Sequence, residues 1–144
     1  MEQDTSRLLK LFYANALVDA VHHYGTHGIL EEVRREKQAL QQQSAAMQLK
    51  QLGIGELSEL YTKFSAIFGC AAWNFTEADS AEATTTTCLL CALAKKQGTE
   101  RPCELFCINP FAAFAKALGF HLEAAATLWE GPECRFVHTR IEQD

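Results

Sequence analysis

No apolar run in this chain approaches the roughly 20 residues needed to cross a bilayer. That excludes a transmembrane helix, and no membrane partner is expected. The opening MEQDTSRLLK also lacks the basic start and apolar core of a secretory signal, so the expectation is a cytoplasmic protein. Concentrated positive charge is missing as well. Thirteen Lys and Arg stand against 18 Asp and Glu, a formal net charge of -5. The basic clusters, Arg34, Arg35, Lys37 and Lys95, Lys96, sit beside acids or near a predicted helix end. A solvated face, or a cation opposite the helix dipole, explains them. Without a positive stripe to track phosphates, nucleic acid is not an expected partner.

What is present suits one domain with a real core: 144 residues, 48% hydrophobic and 22% charged. Six cysteines in a chain with no export signal point to free thiols, a metal site or catalysis rather than a disulfide framework. Five of them fall between Cys88 and Cys134, in CLLC, CELFC and ECRF. A buried cysteine often serves as a small hydrophobe, and that reading stands for each one singly. Their clustering in one third of the chain points to a sulfur-lined site.

Asp4 and Thr5 are candidate caps for a first helix ending near His23 or Tyr24, with Leu8, Leu11, Phe12, Leu17, Val18 and Val21 on its apolar face. After Gly25 and Gly28, a second helix carries Ile29, Leu30, Val33, Leu40, Met47 and Leu52. Its middle, KQALQQQSAAMQLKQ, has high helix propensity over a thin apolar stripe. This predicts a long, partly exposed helix, interrupted near Ser44 and available for self-association. Leu57, Leu60, Tyr61, Phe64, Ile67 and Phe68 then give the cleanest amphipathic pattern in the chain, a third helix ending at Gly69.

Beyond Gly69 the period changes to two. Ala71, Trp73 and Phe75 alternate with Cys70, Ala72 and Asn74 as in a half-buried strand, and residues 77–81 make a polar turn. Residues 82–90 read as the return strand, because Thr84 to Thr87 are β-branched; Cys88 then falls at the strand end with Leu90 on its face. Cys91 to Lys96 make a helical turn that Gly98 closes. Thr99, Glu100 and Pro102 start a further helix that sets Cys103 and Cys107 one turn apart on one face, near Phe106, Phe111 and Phe114. Pro110 kinks or restarts that helix after Asn109, and Gly119 ends it. Strands from His121 to Trp129 and from Glu133 to Ile141 complete the sheet, with Cys134, Phe136 and His138 on one face. The expected fold class is α+β, one domain over 1–144. Its N-terminal helices (1–68) pack on a four-stranded antiparallel sheet with a helix between the two hairpins (69–144).

The segments TTCLLCALAKKQG, RPCELFC and ATLWEGPECRF, led by QLGIGELSELYTKFSAIFGCAAWNF, resemble the L-2-amino-thiazoline-4-carboxylic acid hydrolase-like family. The same outline is similar to 4-vinyl reductase-type domains, small ligand-binding modules of the fold shared with vesicle-tethering TRAPP subunits. Leu89 stands where a proline commonly follows the first cysteine, and INP follows Cys107 in place of a more acidic stretch. The resemblance singles out Cys88, Cys103 or Cys107, and Cys134, framed by Gly131 and Phe136. It implies a cysteine-dependent hydrolase that opens a non-peptide C–N bond in a cyclic amidine or thiazoline-type amino-acid derivative.

In such a reaction a thiolate attacks the ring carbon and water releases the covalent intermediate, which requires a neighbouring base. His121 and His138 are the nearest histidines in sequence, and Glu104 and Glu123 are candidate acids. Arg135 or Arg140 could hold a substrate carboxylate. The same sulfurs read as metal ligands: Cys88, Cys91, Cys103 and Cys107 have the number and donor type for zinc. Against this, CLLC and CELFC lack the glycine-rich turn common at tight structural sites. The alternative to an enzyme is a non-catalytic module that holds a small ligand or metal between sheet and helices. Expected partners are a small-molecule substrate or ligand and a second copy of the chain, in a homodimer through the first helix or the Gln-rich second one.

Overall fold

The computed structural model describes residues 2–69, 71–77 and 80–142. Three helices come first, α1 (Glu2–Thr26), α2 (Leu30–Leu52) and α3 (Leu57–Phe68). There follow β1 (Asn74–Thr76), β2 (Ala81–Thr85) and α4 (Leu89–Gln97). A π-helical turn over Glu104–Ile108 runs into α5 (Asn109–Ala117), and β3 (Phe120–Ala126) and β4 (Cys134–Arg140) close the chain. The α+β class and the order of three helices, hairpin and second hairpin are as the sequence predicts, but two helices, α4 and α5, stand between the hairpins where one helix and a helical turn are expected.

The sheet runs β1-β2-β4-β3, every neighbouring pair antiparallel, so the two hairpins join through β2 and β4. Along β4, Cys134, Phe136 and His138 are buried while Arg135 and Thr139 are exposed, which is the period-two alternation of a sheet covered on one face. Ala83 of β2 and Ala124 of β3 flank Phe136 in register. Their small side chains leave room for its ring and for Trp73, whose ring lies 4.8 Å away. Tyr61 of α3 stacks on Phe111 of α5 at 4.8 Å and meets Trp73 at 5.3 Å. This aromatic block joins the helices to the covered face. A second cluster, Ala14 and Val18 against Leu90 and Ala94, packs α1 on α4.

Several local expectations change. Asp4 and Thr5 lie inside α1, which starts earlier and reaches Thr26. Of its predicted apolar face, Val18 and Val21 are fully buried, but Leu8, Leu11 and Phe12 are exposed. Helix α2 is unbroken at Ser44, whose hydroxyl donates to the Leu40 carbonyl (3.0 Å) and so stays within the helical ladder. Its buried side chains are Ala45 and Leu49, whereas Leu40 and Met47 face solvent. Strand β2 ends at Thr85, five residues short of Leu90. The Thr85 hydroxyl accepts from the Thr87 amide (3.3 Å) and donates to the Thr87 carbonyl (2.9 Å), a local turn that takes the chain off the sheet. Cys88 is therefore the residue that precedes α4, not a strand residue, and Leu90 is helical. Strand β1 is three residues long, with Trp73 just outside it. The strand position expected for Cys70, and part of the turn at Ala78 and Asp79, lie outside the described residues.

Pro110 restarts the helix as expected. It falls in the first turn of α5, where a missing N–H is tolerated. The turn before it takes up the mismatch, with the Asn109 amide reaching back five residues to the Glu104 carbonyl. At the end of α4, Gly98 adopts φ 69°, and its amide bonds the Ala94 and Lys95 carbonyls.

Candidate functional site: a thiol-lined void behind an aromatic cleft

The five described cysteines converge. Cys88 and Cys91 come from the start of α4, Cys103 and Cys107 flank and enter the π-helical turn, and Cys134 opens β4. All five line one apolar void of about 20 Å³, together with Leu90, Ile108 and Phe136. They form no disulfide with one another. Cys91, Cys103 and Cys134 are buried, and Cys88 and Cys107 are half-buried. The void has room for little more than a water-sized group. Among the described residues, no three Cys, His, Asp or Glu side chains stand together as a set that could hold a metal ion. The proposed zinc ligands Cys88, Cys91, Cys103 and Cys107 thus share a cavity without being pre-arranged as a coordination shell.

Burial governs the chemistry of three of these thiols, Cys88, Cys91 and Cys134. It pushes the Cys91 thiol up to about 11, with further repulsion from the neighbouring Cys103 and Cys88. Cys88 and Cys134 are raised for the same first reason. Each also has an opposing influence. The Cys134 sulfur accepts the Leu128 amide at 3.2 Å. Cys88 sits at the N-terminus of α4, where the amides of Cys91 and Leu90 favour a thiolate without making a full capping hydrogen bond. Beside Cys103 lies the guanidinium of Arg101. Burial opposes its charge, but Cys103, Glu104 and Glu130 more than offset this, and its pKa is raised.

The acid and base candidates lie elsewhere. His138 is buried among the aromatic rings; its Nδ1–H donates to the Ala81 carbonyl (2.9 Å), and its Nε2 accepts the Tyr61 hydroxyl (2.7 Å). His121 and Glu123 are on the exposed face of β3. Glu104 is ion-paired to Arg34 of α2 and lies 3.8 Å from Arg101. Arg135 pairs with Glu82 at 3.4 Å, and Arg140 lies over the Phe120 ring. Gly131 is an exposed turn residue whose amide bonds the Thr127 carbonyl, whereas Phe136 lines the void. Among the described residues, no histidine or carboxylate lines the void.

In front of the void opens a much larger cleft, about 540 Å³. Cys88, Leu90 and Cys107 belong to both, so these residues form the wall between them. Seven of the cleft's 18 described lining residues are aromatic. Phe64 and Phe68 come from α3, Phe106, Phe111 and Phe114 from the π-helical turn and α5, and Tyr13 of α1 stacks on Phe68 at 5.4 Å to close one end. The polar side is α2, which presents Lys37, Gln41, Gln48 and Gln51. The sequence reading missed these residues, having assigned the glutamines to self-association. Their spacing of four, seven and three residues is the signal: it sets them along one helix face.

No protein-family model, curated protein or solved structure matches the chain.

Proposed function

We propose that this domain binds a small, largely apolar molecule in the cleft between α2 and the π-helical turn, with the Cys88 and Cys107 sulfurs at its inner wall. The observation that carries the reading is the 540 Å³ aromatic cleft backed by a wall it shares with five converging thiols. That volume falls within the usual range of ligand pockets, about 300–1,000 Å³, as does the balance of many apolar walls with a few polar groups. With its pKa raised by burial, the Cys88 thiol acts here as soft packing surface.

The test uses Trp73, which lines the cleft. In Trp129→Phe it is the only tryptophan left of two. The aromatic probe N-phenyl-1-naphthylamine should brighten on addition and quench Trp73 saturably; no saturable quenching would sink the proposal.

A second reading, the thiazoline-type hydrolase that the motif resemblance implies, has one observation in its favour. Cys88 faces the cleft from a helix N-terminus, a position that assists thiolate formation. It requires Cys88→Ser to abolish ring opening of 2-amino-thiazoline-4-carboxylate, with the fold intact by circular dichroism. Wild-type protein inert toward that compound would remove it.

A homodimer belongs to the proposal as well. Leu9 and Phe12 of α1 are 69% and 72% exposed, apolar surface that a second copy would cover. Light scattering should give a dimer for the wild type and a monomer for Phe12→Glu; a monomeric wild type would remove the dimer.

A further inference from the structure

Among the cleft's described lining residues, Lys37 is the sole ionisable side chain of formal charge at neutral pH; no Asp, Glu or Arg joins it. In a chain of net charge -5 this cation is also left unneutralised. Its neighbour one turn back, Arg34, is ion-paired to Glu31 and Glu104, but no described carboxylate stands within salt-bridge distance of Lys37. The Lys37 ammonium instead lies over the Phe106 ring, 5.7 Å from its centre. That contact holds the charge at the edge of the aromatic trough.

One turn further along α2, Gln41 lines the same cleft, and its Oε1 is buried with no hydrogen-bond partner. Turned about its last bond, the amide puts its nitrogen where that unpartnered oxygen stands, so Lys37 and Gln41 can donate together to one anion.

We infer that the ligand is an aromatic monoanion, an arylcarboxylate in chemical class, whose carboxylate is held by Lys37 and Gln41 while its rings lie among Phe106, Phe111, Phe114 and Trp73. The inference rests on the binding reading above and adds the charge and its address. Aromatic rings line the trough from several elements, and offset or edge-on stacking suits a planar body better than a flexible chain.

Two probes with the same aromatic body separate the two claims: 8-anilino-1-naphthalenesulfonate, an anion, and N-phenyl-1-naphthylamine, its uncharged counterpart. Both are titrated into Trp129→Phe protein with quenching of Trp73, which lines the cleft, as the readout. The anion should bind more tightly than the neutral probe. Lys37→Gln should weaken the anion about ten-fold, the scale of one charge-assisted contact, and the neutral probe by clearly less, while Lys37→Arg should restore the anion. Unlabelled 2-naphthoate should displace the anion from the wild type, and 2-naphthamide should do so only at clearly higher concentration. Equal binding of the two probes, or an equal effect of Lys37→Gln on both, would overturn the anion assignment and leave the binding reading intact. Displacement by a saturated fatty acid but not by 2-naphthoate would overturn the aromatic assignment. Failure of both probes to quench Trp73 would remove the binding reading itself.

Discussion

Tyr61 and His138 share a hydrogen bond at the centre of the aromatic block, where they are 1% and 4% exposed. With Nδ1–H committed to Ala81, the ring must stay neutral for Nε2 to accept the tyrosine proton. Burial lowers the His138 pKa below its ordinary value of 6.5, against the opposing pull of the Ala81 carbonyl. Below that value the unfolded chain binds a proton more readily than the folded one. The stabilisation is thus complete above pH 6.5 and is lost as pH falls below it. Tyr61→Phe leaves Nε2 buried without a donor and should cost about 1–3 kcal/mol in urea unfolding at pH 7.5. A cost under about 0.5 kcal/mol, the scale of ordinary surface changes, would show that the pair carries no net energy.

The thiols set the opposite limit. Cys88, Cys91 and Cys134 all have raised pKa values, and Cys91 moves from 9.0 to about 11. Folding favours the protonated thiol, so its contribution is fully present below pH 9 and disappears as pH rises toward 11. The melting temperature should fall over that window, and Cys91→Ala should flatten the fall. An unchanged alkaline slope in that variant would contradict the assignment.

At the scale of elements, α2 decides both packing and site. Ala45 is 1% exposed within the main core, so Ala45→Leu should overpack it and cost about 1–3 kcal/mol. Met47, two residues on and 65% exposed, should accept Gln within about 0.5 kcal/mol. Comparable losses for both, read from urea midpoints, would contradict this facing of the helix.

Helix α2 also shows why the sequence was only partly legible. Its polar composition correctly implied length and exposure. However, the stripe of Leu40 and Met47 pointed to the wrong buried face, because a small residue at the crossing, Ala45, carries no hydrophobic signature. Helix α3 was legible except at Ile67, which is 47% exposed: its apolar positions repeat at 3.6 residues and its buried Leu57, Leu60 and Tyr61 are large. The four threonines before Cys88 favoured a strand, but hydroxyl bonding between Thr85 and Thr87 ended it, and β propensity says nothing of such a turn. The alternation of Cys134, Phe136 and His138 was read correctly, yet only the fold could place His138 on Tyr61 and away from the thiols.

At the scale of the molecule, spacing suggested that the cysteines meet, and they line one void. What spacing could not express is the cleft in front of it. That cleft draws on α1, α2, α3, α4 and α5, elements up to a hundred residues apart, and its polar groups come from a helix with no cysteine at all. The overall architecture places two of the five thiols on the cleft wall and three behind it.

That division gives the most direct test of the account. Protein purified under reducing, anaerobic conditions is pulsed with iodoacetamide, with and without saturating N-phenyl-1-naphthylamine, and each cysteine's labelling rate is read by mass spectrometry. Cys88 and Cys107 should label first, Cys91, Cys103 and Cys134 should lag behind them, and the probe should slow Cys88 and Cys107 alone. Uniform labelling of the five, or rates at Cys88 and Cys107 that ignore the probe, would contradict a ligand cleft walled by those two sulfurs.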